Sequence, residues 1–270
     1  MTELFRHLRA RYRYSFIILR QMVSTDFKLR YQGSVLGYLW SLLRPLALFG
    51  ILYFVFVRLL RFGSVPHYPV YLLLGIVMWS YFTEVTAGAL GSIVGRGDLL
   101  RKLNFPRYVI VFSTAFSALI NFAFNLVVVA VFIVVTGVPV RPALALIPLL
   151  FIEMFVLSVG IGFFLSALFV RFRDLNYIWE VVLQAGFYLT PILVPINLFS
   201  NVVQRILLLN PMAQIIQDAR WLAVTDQAQT ITHAYNTAVI QLAPIGLTLA
   251  FAITAALYFR RKAPFFAEDV

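Results

Sequence analysis

Hydrophobic residues lie in long runs along the chain, separated by short polar segments. A membrane-spanning helix needs about 20 apolar residues, and six stretches come close to or exceed that length. These predicted spans cover residues 36–60, 68–90, 108–136, 143–170, 177–193 and 238–259. The pattern therefore predicts an all-α polytopic membrane protein with six transmembrane helices.

The chain begins with a basic segment. Over residues 1–35, arginines recur on one stripe of a helix, and an apolar stripe lies beside them, as a rotation of about 100° per residue shows. We expect this region to form an amphipathic helix on the cytoplasmic membrane surface, bound to membrane lipids. It precedes a single six-span domain over 36–260, and residues 261–270 form a cytoplasmic tail.

The segment 194–237 is too long and too apolar for an ordinary loop. Two short apolar pieces occur within it, and Asn210-Pro211 separates them. Each piece is shorter than a span. We therefore expect short re-entrant helices that dip into the membrane from the outer side before the last span, covered there by protein or a watery cavity.

Composition and charge support the membrane class and orient the chain. Apolar residues make up 61% of the chain and charged residues 12%, against about 25% charged residues in soluble domains. With the N-terminus inside, 17 Lys and Arg residues fall on the inner side and five on the outer side. This bias predicts that both termini are cytoplasmic, and it explains the net charge of +11 without a nucleic-acid partner.

Motifs for catalysis are absent from the sequence. It has no cysteine, no GxxxxGK[ST] phosphate loop and no HExxH, and its three histidines are scattered. We therefore expect no metal site, no cofactor bound by this chain and no ATP hydrolysis by it. Glu84 and Glu153 are acidic residues within the predicted spans, and Glu153 can be either a helix–helix contact or a proton site.

The inner loop 95–107 has features of a short docking helix. Asp98 can cap a helix that carries three leucines, and Pro106 ends it. Such an apolar patch with basic neighbours can dock another protein. A helical loop that only follows the positive-inside rule is the alternative.

Aromatic residues are abundant in the first, second and fifth predicted spans. Their faces suit the C–H edges of sugar rings, while Trp and Tyr also occur at both membrane interfaces. Tyr53 and Phe54 lie deeper in the first span than an interfacial belt requires.

A family resemblance rests on residues 26–31 (DFKLRY), 34–37 (SVLG), Trp40, Pro45 and Asn210-Pro211. These residues are similar to the signature of ABC-2 type permeases that export polysaccharides, such as O-antigen and teichoic acid. The resemblance implies a homodimer with two copies of a P-loop nucleotide-binding subunit, which holds ATP and Mg. It also implies a bacterial cytoplasmic membrane and a substrate that is a polyprenyl-diphosphate-linked polysaccharide.

The same resemblance implies roles for individual residues. Leu99, Leu100, Leu103 and Arg101 would couple the chain to the ATPase. Arg30 and Arg44 would contact the pyrophosphate at the substrate entrance. Six aromatic residues would line the channel, namely Tyr53, Phe54, Tyr81, Phe82, Phe187 and Tyr188.

Other functions remain open from the sequence alone. An ABC-2 exporter of drugs or lipids would need a channel lined by aliphatic side chains. A membrane-embedded transferase would need a polar catalytic cluster at one membrane face. A secondary transporter would show discontinuous helices in both halves of the chain.

Overall fold

The computed structural model describes residues 2–31, 37, 39–59, 65–102 and 105–266. Of these, residues 2–12, 27, 30 and 31 are described by their backbone alone. All regular secondary structure among the described residues is helical, which agrees with the predicted all-α class.

Twelve α-helices follow one another along the described chain. They are α1 (Thr2–Tyr31), α2 (Leu39–Tyr53), α3 (Tyr68–Leu90), α4 (Gly97–Lys102), α5 (Tyr108–Val135), α6 (Ile147–Phe169), α7 (Leu175–Leu189), α8 (Asn201–Leu208), α9 (Pro211–Ala223), α10 (Ile231–Ala234), α11 (Ala238–Gln241) and α12 (Ala243–Lys262). A π-helical segment, Phe54–Leu59, extends α2.

Five helical segments in the described residues are long and apolar enough to cross a membrane. They cover Leu39–Leu59, Tyr68–Leu90, Tyr108–Val135, Pro142–Phe169 and Ala243–Phe265. These correspond to five of the six predicted spans. The sixth, predicted at 177–193, is represented by α7, a helix of 15 residues. It ends at Leu189 because Pro191 follows, and a proline disfavours helical backbone in the residue before it.

The helix α3 lies at the centre of the molecule. It is buried over 72% of its most apolar window, against 11% for α2, and it packs against α2, α5, α6, α7 and α9. The rings of Tyr81 and Phe122 lie 5.0 Å apart between α3 and α5. Nearby, Asn121 donates a 2.7 Å hydrogen bond to the Glu84 carboxylate. The acidic residue Glu84 is thus part of a helix–helix contact.

The helices α6 and α12 run parallel and approach closely. A Cβ atom at Gly160 would lie 2.9 Å from the Ala252 Cα, so the absence of a side chain brings the two backbones together. Closer to the C-termini of both helices, the rings of Phe163 and Phe259 are 4.8 Å apart. Small residues at such a crossing are typical of helix pairs in membranes.

Basic residues gather at one end of the helix bundle, which we call the basic end. It holds α4, the N-terminus of α5 and the C-termini of α3, α6 and α12, with the basic residues of 95–102, 105–107, 171–173 and 260–262. The helix α1 packs on α5 at this end, where Ile18, Leu19 and Met22 reach the core. At the other end, α8 and α9 occupy the segment predicted to hold short outer helices.

Candidate functional site

A polar junction at the basic end joins α1 to the connection between α3 and α5. Arg96 lies in a 3-10 turn just before α4 and forms an ion pair with Asp26 of α1. The same guanidinium donates a 3.2 Å hydrogen bond to the Ser113 hydroxyl of α5. Three separate segments of the chain therefore meet at one arginine.

The short helix α4 has one anchored leucine and one exposed leucine. Leu100 is 7% exposed and packs into the core, whereas Leu99 is 38% exposed. Arg101 is also exposed, and the predicted Leu103 lies outside the described residues. Asp98 is in the first turn of α4, where its negative charge interacts favourably with the helix dipole. The surface presented by α4 thus combines an apolar side chain with basic neighbours.

The two arginines predicted at the substrate entrance lie on α1 and α2. Arg44 is exposed on α2, next to the buried Pro45. Arg30 is in the last turn of α1, and its side chain lies outside the described part of the chain. Farther along, Phe54 is exposed and Tyr53 is half-buried, with its ring 5.7 Å from that of Phe49.

The other four predicted channel aromatics differ in their exposure. Tyr81 and Phe82 are buried, Tyr81 against α5 and Phe82 against Trp79. Phe187 is half-buried, and its ring lies 6.2 Å from that of Trp79. Tyr188 is 69% exposed. Of the six aromatic side chains, Phe54 and Tyr188 face the exterior of the single chain most fully.

A polar stripe on α7 was not singled out from the sequence. Asn176, Glu180, Gln184 and Tyr188 recur every four residues and are all exposed. Residues four apart lie on one face of a helix. The i, i+4 spacing was the signal that could have revealed this stripe.

A buried arginine connects α9 to α3 and to the turn after α7. Arg220 is 0% exposed. Its guanidinium donates hydrogen bonds to the backbone carbonyls of Tyr71 (3.0 Å), Pro191 (2.6 Å) and Ile192 (2.8 Å). It also lies 3.6 Å from the centre of the Tyr71 ring, which is a cation–π contact. This contact set was missed from the sequence, where Arg220 was counted among the outer surface charges.

Tyrosine hydroxyls extend the same network on α3. Tyr68 donates a 2.6 Å hydrogen bond to the Leu193 carbonyl. Tyr71 donates a 3.3 Å hydrogen bond to Gln217 of α9. The first turn of α3 is therefore tied to both α9 and residues 191–193.

Two acidic residues lie close together between α6 and α9. Asp218 accepts a 2.5 Å hydrogen bond from the Gln214 amide, and the Glu153 carboxyl lies near both side chains. The Oε1 atoms of Glu153 and Gln214 are buried with no hydrogen-bond partner. Glu153 is thus placed at a helix–helix contact. Among the described residues, no group of three or more His, Asp or Glu side chains could hold a metal ion.

Comparison with known protein families identifies the family of this chain. The ABC-2 type transporter family matches residues 18–223. The chain belongs to this family. The match begins within α1 and ends with α9, so it includes the polar junction, α4, the α7 stripe and Arg220.

Similar proteins of this ABC-2 family are named as permeases or transport proteins for bacterial polysaccharides. The O-antigen export system permease protein RfbA of Klebsiella pneumoniae is 32% identical over 87% of this chain and 92% of its own length. The protein of the same name from Myxococcus xanthus is 28% identical over 98% of this chain and 99% of its own length. The polysialic acid transport protein KpsM of Escherichia coli is 22% identical over 72% of this chain and 76% of its own length.

Proposed function

We propose that this ABC-2 chain is the permease subunit of an ATP-driven exporter of a polyprenyl-diphosphate-linked polysaccharide. The observation that carries the proposal is the nearly full-length similarity to two O-antigen export permeases, 87% and 98% of the chain. O-antigen, teichoic acid and related glycans form the substrate class. The chain itself is not an enzyme, since ATP and Mg would bind to a separate P-loop subunit.

The proposed topology has six crossings, with both termini in the cytoplasm of a bacterium and the chain in its cytoplasmic membrane. The position of α7 alongside α3 supports the sixth crossing. Trp179 donates a hydrogen bond to Thr86, and Gly186 contacts Trp79, so α7 runs antiparallel along α3. The turn after α7 then reaches Tyr68, at the start of α3. The segment from α7 to this turn therefore extends along nearly the whole length of α3.

The proposed assembly is a homodimer with two copies of the ATPase. An exposed carboxylate and amides at membrane depth are costly in contact with lipid. Glu180 and Gln184 on the α7 stripe therefore favour contact with a second copy or with a water-filled path between two copies. The exposed apolar face of α2 offers further surface for contact with a second copy.

The sugar path is proposed to follow the exposed aromatic and polar side chains. Phe54 and Tyr188 offer aromatic faces for stacking on sugar rings. The polar groups of the α7 stripe can hydrogen-bond to sugar hydroxyls. Arg44, and Arg30 near it in sequence, remain the proposed contacts for the diphosphate of the lipid carrier.

The ATPase is proposed to dock on α4 and α1 at the basic end. Leu99 and Arg101 are exposed there, while Leu100 anchors α4 to the core. The Asp26–Arg96 ion pair then links the docking surface to α5 through Ser113. A movement of α4 can therefore reach α1 and α5 together.

Affinity purification from native membranes in mild detergent, with mass spectrometry of the eluate, tests this function. We expect a P-loop ATPase in about equal amount to this chain, together with glycan-bearing lipid. Recovery of an ATPase with a drug or a phospholipid in place of glycan would favour the alternative function, an ABC-2 exporter of drugs or lipids. Recovery of the intact chain without an ATPase would contradict the proposal.

A further inference from the structure

A cavity of about 330 Å³ lies at the basic end, between the last turns of α6 and α12. The wall on the α6 side is apolar and is formed by Ala167, Leu168 and Val170. Arg171, in the turn after α6, and Lys262, the last residue of α12, also line the cavity. The cavity lies on the α6–α12 side of the bundle, and none of its lining residues belongs to α1, α4 or α5.

The described residues that line this cavity carry a net positive charge. Arg171 and Lys262 are both exposed, and no acidic side chain is found among the described residues that line the cavity. Neither cation forms an ion pair with an acidic residue in the described part of the chain, where the pairs are Asp26–Arg96 and Arg141–Asp226. Two cations beside a low-dielectric wall concentrate a positive potential, so the cavity favours an anion.

Aromatic and apolar side chains make an amphiphile a better ligand than a free ion. Phe172, Tyr258 and Phe266 also line the cavity. The buried Phe266 packs against Phe259 of α12, with ring centres 5.2 Å apart, so part of this wall belongs to the folded core. The structure therefore places cations and apolar surface side by side at a helix end. Basic pockets between transmembrane helices on the cytoplasmic side are typical sites for acidic lipid headgroups.

We propose that this cavity binds the phosphate headgroup of an anionic glycerophospholipid, such as phosphatidylglycerol, in the leaflet at the basic end. Arg171 and Lys262 donate charge-assisted hydrogen bonds to the phosphate. The apolar wall of α6 covers the first part of the acyl chains. The bound lipid joins the ends of α6 and α12, whose contact depends on the close approach at Gly160.

The test is lipid binding by the full-length chain, purified in mild detergent and titrated with phosphatidylglycerol under native mass spectrometry. The double variant Arg171→Gln/Lys262→Gln removes the two cations that line the cavity. The matched control is Arg173→Gln/Arg260→Gln, which removes the same charge from exposed residues at the same helix ends that do not line it. At about tenfold per lost charged contact, we expect about a hundredfold weaker binding in the first variant and little change in the control.

Three results would overturn the proposal. Equal weakening in both variants would show a general attraction to surface charge. Equal binding of phosphatidylcholine and phosphatidylglycerol would exclude an anionic headgroup site. Displacement of phosphatidylglycerol by a stoichiometric polyprenyl phosphate would assign the cavity to the lipid carrier instead. A circular dichroism melt of each lipid-free variant, expected to match the parent chain, shows that these comparisons are made on folded protein.

Discussion

Arg220 is completely buried because backbone carbonyl groups replace the water that would otherwise solvate its guanidinium. Three donors are satisfied by carbonyls of α3 and of the turn after α7, and the Tyr71 ring covers the planar group. A guanidinium can do this because its donors are fixed in a fork. Arg220 is therefore a positioning residue for α9.

Replacement of Arg220 by lysine keeps the charge but loses the fork. An ammonium cannot reach all three carbonyls from one position, and each carbonyl left unpaired costs about 1–3 kcal/mol. We expect Arg220→Lys to lower the melting temperature of the purified chain by several degrees, whereas Arg205→Lys, on an exposed helix at the same end, has little effect. Equal melting of both variants and the parent would contradict the positioning role.

Gly75 provides the space that this guanidinium occupies. A Cβ atom at Gly75 would lie 2.5 Å from the Arg220 Nη2 atom, whereas one at Gly88 of the same helix would have an ordinary 3.8 Å contact with Thr114. Gly→Ala in a helix interior normally stabilises by about 1 kcal/mol. We expect Gly88→Ala to be neutral or stabilising and Gly75→Ala to be destabilising in thermal melts. Stabilisation by both substitutions would show that Arg220 can move away without cost.

The sequence could not predict which face of α3 each aromatic residue occupies. A helix that is apolar on all sides has no periodicity to distinguish core from exterior. The family resemblance implies that Tyr81 and Phe82 line a channel, and in the single chain both side chains are buried inside the bundle. Arg220 was missed for a related reason, since a count of basic residues by side carries no information about burial.

At the scale of helices, the long apolar runs predicted the positions of five helical segments that are long and apolar enough to cross a membrane. This succeeds because about 20 apolar residues have few other stable environments. The hydropathy pattern is not enough to assign α7, because a helix of 15 residues is short for a span. Its position comes from its contacts with α3. Hydrogen bonding from Trp179 to Thr86 supplies the register along α3 that the hydropathy pattern lacks.

The ion pair between α1 and the segment before α4 gives an element-scale prediction. Asp26→Arg and Arg96→Asp each place like charges together, while the double variant restores an opposite pair. We expect each single substitution to reduce export at least tenfold and the double variant to recover a large part of it, measured as surface polysaccharide in complemented cells. Independent, additive losses in the double variant would contradict a coupling between Asp26 and Arg96.

Substitutions at Leu99 and Leu100 of α4 distinguish an effect on ATPase docking from an effect on folding. Leu99→Asp changes an exposed side chain, so we expect normal melting of the chain but loss of the copurifying ATPase. Leu100→Asp buries a charge and should lower the melting temperature itself. If Leu99→Asp retained a stoichiometric ATPase and full export, α4 would not be the docking surface.

At the scale of the whole molecule, the single chain is incomplete as a sugar path. Its central helix α3 is largely buried, and the polar stripe of α7 is exposed. The glycan path that we propose therefore lies between two copies of the chain that face each other at this stripe. The sequence resemblance implied this assembly, but composition and hydropathy could not place the path.

The most direct test of the proposed export function is depletion of this chain in the organism that encodes it. Lipid-linked glycan is then quantified on each side of the cytoplasmic membrane, together with polysaccharide at the cell surface. We expect polyprenyl-diphosphate-linked glycan to accumulate on the cytoplasmic side while the surface polysaccharide disappears, with both reversed by re-expression. An unchanged lipid-linked pool and normal surface polysaccharide after complete depletion would contradict the account.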